Sequence, residues 1–272
     1  DISCRAPRLF AAALFTKEAA VIFPFVCIGY LFLIARDKPF SYQQKKLAAG
    51  WCLALTLWLV LRTYALSHNP IALSVTGIAR DLASGAGALI PYIGKVVLPI
   101  NLSIIPVIED TKMIYGALVL AAIVSGLAFS KMKRYGYILF GALWFTAFLA
   151  PTFVRPVAGV SAIFLESRLY LPILGIFVVL AEIDIIKNIA VTKRYIIVCC
   201  AIIGAFFFMS AAHEVNFKDA ITFWRCAVER SPHSSMAQYN LGWIYDRQGD
   251  IEKAERQYLR ALELNPTQRY AH

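Results

Sequence analysis

Six stretches of about 17 to 20 predominantly apolar residues, at 19–35, 47–66, 113–130, 136–152, 169–186 and 195–212, leave this chain few ways to fold. A helix rises about 1.5 Å per residue, so each stretch is close to the roughly 30 Å of hydrocarbon in a bilayer. None alternates polar and apolar residues as a strand would. Backbone groups in hydrocarbon must find partners within their own segment, which leaves helices. Hydrophobic residues make up 59% of the chain and charged ones 16%, far from a usual soluble domain. The sequence therefore predicts an all-α, polytopic membrane protein.

Residues 9–35 are apolar apart from Lys17 and Glu18. One helix of that length would span about 40 Å, so a turn is expected at Thr16-Lys17-Glu18, with the span over 19–35 and a kink at Pro24. Arg36, Lys38, Lys45 and Lys46 form a basic loop, as do Lys131, Lys133 and Arg134, and again Lys187, Lys193 and Arg194. If all three face the cytoplasm, 67–112 makes no net crossing: it is re-entrant, interfacial or a short pair of crossings, with 82–100 undecided. Pro91, Pro99 and Pro106 argue against a straight helix there. The loop before Glu166 and everything beyond residue 213 then lie outside the cytoplasm.

The net charge of +10 gathers in these short loops, which reads as topology and not as nucleic-acid binding. Cys27, Cys52, Cys199 and Cys200 lie inside apolar stretches, where a disulfide framework is implausible, and Cys4 and Cys226, outside them, read as ordinary packing residues. No metal-site spacing is present. A chain opening at Asp1 and closing at His272 as a helix begins reads as cut at both ends.

Beyond residue 213 the composition turns charged and helix-forming, which divides the chain into a membrane domain, 1–213, and a repeat region, 214–272. Ala220, Trp224, Ala227 and Pro232 recur 34 residues later as Ala254, Tyr258, Ala261 and Pro266, with Leu241, Gly242, Tyr245 and Gly249 between them. That is the pattern of a tetratricopeptide helix pair. Alanines let helices approach, aromatics fill the gaps, and proline ends the second helix. The region holds one second helix, one full repeat over about 235–268 and the start of a third, an α-solenoid that needs neighbours.

Charge at the edge of hydrocarbon is costly unless paired or wetted, so Glu166-Ser167-Arg168-Leu169-Tyr170-Leu171-Pro172 is the first candidate site. Arg168 suits a phosphate, with Glu166 orienting it or a substrate hydroxyl; both also fit an interfacial anchor. Lys17 and Glu18 read as a second phosphate contact or a self-compensating turn. Arg62 and His68, at the outer end of the second span, read as anchors more often than as ligands; Asn101 sits in a glycosylation pattern of a kind common by chance, and Asn240 either touches a peptide or stands there by repeat consensus alone.

Thr16-Lys17-Glu18, Leu61-Arg62, Leu98-Pro99 with Leu102-Ser103, the 166–172 motif and the repeats, in that order, resemble the transmembrane and tetratricopeptide repeat O-mannosyltransferases, similar in turn to the GT-C glycosyltransferase class. The resemblance implies the C-terminal part of a GT-C-like fold. It implies transfer of a sugar, typically mannose, from a polyprenyl or dolichyl phosphate donor to protein serine or threonine on the extracytoplasmic side. Arg168, Lys17, Glu18, Arg62 and Tyr170 would face the donor phosphate, and the repeats would bind an acceptor or partner protein. Membrane lipid and the lipid-linked sugar are the other expected partners; no cofactor and no nucleic acid is expected. The family's base, an acidic residue of the first extracytoplasmic loop, would precede Asp1, so the chain as it stands should be inactive. Ser167-Arg168 also stands where the family more often has adjacent Glu-Arg, which loosens any fixed role for Glu166.

The competing reading is a membrane-anchored repeat scaffold for assembling envelope proteins, in which each charge is paired locally. Transport is disfavoured by the scarcity of midplane charge and of paired broken helices. The expected setting is a multi-pass protein with its repeats in a periplasm or an endoplasmic-reticulum lumen, a bacterial inner membrane being preferred.

Overall fold

The computed structural model describes residues 2–36, 41–66, 75–97, 102–154, 165–188 and 192–266. His68, Pro99 and Asn101, singled out above, lie outside them. Every α-helix and 3-10 turn follows the chain in order, and among the described residues no sheet forms. The chain divides into two interleaved units, one of 1–83, 131–156 and 170–183, the other of 84–130, 157–169 and 184–272.

The first unit contains α1 (Ile2–Thr16), α2 (Phe23–Leu33), α3 (Tyr42–Leu66), most of α4 (Val75–Gly85), α7 (Tyr135–Phe153) and α8 (Ile173–Leu180). α1 ends where expected: Lys17 is extended, and a 3-10 turn over Glu18–Ile22 leads into α2. Pro24 does not kink a span. It occupies the first turn of α2, where a missing N–H costs nothing. Ser41 and Gln44 open α3 with a reciprocal cap, the Gln44 N–H bonding the Ser41 hydroxyl at 3.3 Å and the Ser41 N–H bonding Gln44 Oε1 at 2.8 Å.

The apolar stretch 169–186 is not one helix. It divides into a 3-10 turn (Glu166–Leu169), α8, a turn, and α9 (Asp184–Lys187) of the second unit. α8 has only eight residues, about 12 Å of rise, too short to cross a bilayer. Two residues explain the break. Pro172 stands at the start of α8, and Glu182 is buried in the turn after it, where Arg134 binds its carboxylate at 2.7 Å through Nη2 and 2.9 Å through the backbone N–H. That carboxylate raises the pKa of the Arg134 guanidinium.

The second unit contains α5 (Leu89–Val97), α6 (Met113–Phe129), α9, α10 (Lys193–Glu214) and the repeat helices α11 (Ala220–Arg230), α12 (Ser235–Arg247) and α13 (Ile251–Leu264). Region 75–97 is two short helices joined by a 3-10 turn, not a straight helix. Glycines sit where helices cross in each unit: a Cβ on Gly141 would lie 2.6 Å from the Gly175 carbonyl, and one on Gly94 2.7 Å from Gly116 Cα.

Three helical stretches are long and apolar enough to cross a membrane: Tyr42–Ala65, Tyr135–Phe153 and Lys193–Phe217. The other apolar helices, including Glu18–Leu33 and Met113–Phe129, are shorter. Between its charged ends α10 is apolar, exposing Ile197, Ile203, Phe207 and Phe208.

Candidate functional site

In the first unit the structure brings together four residues named from the sequence. The break after α1 puts Lys17 and Glu18 in succession at the start of the 3-10 turn. Lys17 Nζ donates to Tyr170 Oη at 2.8 Å. Glu18 pairs with Arg62, near the C-terminal end of α3, whose guanidinium lies 5.0 Å over the Trp58 ring. Two contacts, Lys17 with Tyr170 and Glu18 with Arg62, thus start from consecutive residues of the same turn and draw on three parts of the chain. Arg62 keeps 30% of its side chain exposed and Glu18 66%, so the pair contributes at most about 1 kcal/mol to stability. Stability is a weak reason for their assembly.

These contacts mark one end of the unit. At the other, a Cβ on Gly136 would collide with the Leu33 carbonyl, which places the start of α7 beside the end of α2. Arg36 follows that end of α2, and Arg134 precedes α7. The loop cations Arg36 and Arg134 therefore share an end opposite Lys17 and Tyr170.

Glu166 and Arg168 belong to the second unit, since the chain passes between units after Leu169. Tyr92, fully buried, donates to the Leu165 carbonyl at 3.2 Å and fixes the entry to their 3-10 turn. Glu166 pairs with Lys95 of α5 and accepts the Ser103 N–H at 3.3 Å. The Lys95 side chain is 9% exposed and that of Glu166 21%, so this pair is largely dry. Arg168 is exposed, and its backbone N–H bonds the Leu165 carbonyl at 3.1 Å. Sequence reading passed over Lys95, whose one signal is a solitary charge in the apolar 82–100 region.

The repeat is joined to the same part of the unit. The Ser231 hydroxyl meets that of Ser103 at 2.8 Å, both side chains being buried. Arg230 donates to the Leu102 carbonyl at 2.9 Å, and His233 binds Asp110 at 2.9 Å through its N–H and 2.6 Å through Nδ1. The loop between α11 and α12 is thus pinned to 102–110, and the Ser103 backbone continues the path to Glu166.

Within the repeat, Ala227, Leu241, Gly242, Ala254 and Ala261 are buried, while Trp224, Tyr245 and Tyr258 are half-buried. Ala220, Pro232, Gly249 and Pro266 are exposed. Gly249 takes φ +79°, and the bonds from Gly249 N to Asp246 O and from Asp250 N to Tyr245 O, both 3.0 Å, close α12 in a Schellman motif. Asp219 and Asp250 cap α11 and α13. The Thr222 N–H, foremost, holds the Asp219 pKa below its usual range, and the Lys253 ammonium does the same for Asp250. Asn240 turns to the Met236 carbonyl at 2.7 Å, leaving Met236, Trp243 and Arg247 as the exposed residues of its helix face.

Residues 235–268 match the tetratricopeptide repeat family. No curated protein and no solved structure matches the chain. Repeats of this kind offer surfaces to other proteins, so the match supports a protein-interaction role for the C-terminal region.

Proposed function

We propose that the chain is part of a multi-spanning membrane glycosyltransferase that passes a sugar from a polyprenyl or dolichyl phosphate to a protein hydroxyl, its repeats receiving the acceptor or a partner. The observation that carries this reading is the assembly of Lys17, Glu18, Arg62 and Tyr170 at one end of the first unit, opposite Arg36 and Arg134. Basic loops favour the cytoplasmic face, so these residues belong at the other. In the reaction the acceptor oxygen bonds to the anomeric carbon as the bond from that carbon to the phosphate oxygen breaks. The hydroxyl proton leaves to a base and the lipid phosphate departs with its electron pair. Lys17 and Arg62 offer cations for that phosphate, with Glu18 and Tyr170 holding them in place; Arg168, in the second unit, is a separate candidate phosphate contact.

The test is transfer of labelled mannose from polyprenyl-phosphate-mannose to protein by the full-length protein in membranes, comparing the parent with Arg62→Gln and Arg168→Ala. Loss of one charge that stabilises the leaving group is expected to lower the rate roughly 10²-fold. A parent that transfers nothing from mannose or glucose donors defeats the reading. The scaffold alternative then stands on the pinning of the repeat loop to 102–110 by Arg230, Ser231 and His233, a fixed mount for a binding surface.

A further inference from the structure

We infer that His233 is the base of the transfer, its Nε2 taking the proton of the acceptor hydroxyl. This rests on the transferase reading and adds the residue that reading lacks. In the loop between α11 and α12 the His233 ring meets Asp110 Oδ1 through Nδ1 at 2.6 Å, while the His233 backbone N–H donates to Asp110 Oδ2 at 2.9 Å. One residue thus engages both carboxylate oxygens. The Asp110 side chain is 8% exposed and that of His233 52%, so the carboxylate lies out of water and the ring half in it. Among the described residues neither side chain has another hydrogen bond or ion pair.

A carboxylate can only accept, so it keeps the ring proton on Nδ1 and the lone pair on Nε2, the nitrogen left for a substrate. The same carboxylate stabilises the imidazolium once the proton is taken. The proton moves from the acceptor oxygen to Nε2 as that oxygen bonds to the anomeric carbon; the bond from carbon to phosphate oxygen breaks, its electron pair leaves on the lipid phosphate, and the half-exposed ring passes the proton to water. The loop is held in place: the buried Gln238 donates through Nε2 to the Pro232 carbonyl at 3.0 Å, and the Ser234 N–H donates to the Ser231 carbonyl at 3.0 Å. Of the other charged residues on the two segments, Arg230 is turned to the Leu102 carbonyl, and Glu109, Lys112 and Glu229 are exposed; none bonds the imidazole. The exposed residues of α12 begin at Met236, three positions after His233, so an acceptor held along that face reaches the imidazole at the N-terminal end of the helix. Ser231 and Ser103 tie the loop to the segment that bonds Glu166, two residues before Arg168, the phosphate candidate of the same unit.

The experiment follows labelled mannose from polyprenyl-phosphate-mannose to protein in membranes holding the full-length protein, for the parent, for Asp110→Asn, and for His233→Ala with and without free imidazole. His233→Ala is expected to lower the rate about 10²-fold, the low end of what a positioned base supplies, and free imidazole to restore part of it through the half-exposed site. Asp110→Asn is expected to lower the rate as well, because an amide carries no charge to stabilise the imidazolium. The acid limb of the parent's pH profile should be missing from the residual activity of His233→Ala. If the parent transfers and His233→Ala keeps its rate, the inference is overturned while the transferase reading stands. A loss that imidazole does not relieve makes His233 a structural pin and equally overturns it. A parent that transfers nothing removes the transferase reading, and the base with it.

Discussion

Replacing Lys95 by methionine leaves the Glu166 carboxylate without its cation in a place where water reaches only a fifth of its side chain. Two unit charges 4 Å apart at an effective dielectric of about 20 attract by about 4 kcal/mol before desolvation is counted. Removing one partner of a buried pair costs about 3–5 kcal/mol, and the residual exposure of Glu166 places this case near 3. The melting temperature in mild detergent should fall by roughly 6–12 °C. Replacing both residues, Lys95→Met with Glu166→Gln, removes both charges while the amide oxygen still accepts the Ser103 N–H. The double variant should therefore melt within a few degrees of the parent, a loss far smaller than the sum of the two single losses. Additive losses in the two single variants would refute the argument, because they would mean that the carboxylate is solvated without Lys95.

Three further predictions concern the repeat. A Cβ at Gly242 would lie 2.9 Å from the Tyr258 ring, so Gly242→Ala should cost about 1–3 kcal/mol, and Tyr258→Leu in the same chain should recover part of it. Gly249 has open space but a left-handed backbone, so Gly249→Ala should cost about 1–2 kcal/mol and Gly249→Asn less, read from amide hydrogen exchange in α12 and α13. The capping carboxylates Asp219 and Asp250 have pKa values held below the usual range, so they bind protons more weakly folded than unfolded. Their contribution is complete above the ordinary aspartate range and is lost as pH falls through the folded values, so Asp219→Asn with Asp250→Asn should flatten the acid limb of thermal stability.

Much of the helical layout was legible because length and apolarity are local properties. α3, α6, α7 and α10 lie where uninterrupted apolar residues demand them, and the break at Lys17 follows from a stretch longer than a bilayer needs. The repeat was legible for another reason: its packing recurs at a fixed period, so Gly242 and Ala254 announce their own contacts. The division of 169–186 was not legible, since apolarity along that stretch conceals that Glu182 serves as counterion to a residue 48 positions earlier. The same holds for Lys95 and Glu166, 71 apart, and for Ser103 and Ser231, 128 apart. A charge in the sequence states that a partner is needed; only the fold states which one.

Sugar transfer by this chain requires that Lys17 and Arg62 receive a lipid phosphate. The direct measurement is retention of polyprenyl phosphate by the detergent-solubilised full chain in native mass spectrometry, for the parent, for Lys17→Met with Arg62→Gln, and for Lys45→Gln with Lys46→Gln. Retention is expected for the parent and for the Lys45/Lys46 variant, and its loss in the Lys17/Arg62 variant. Equal retention by all three, or none by the parent, would contradict it.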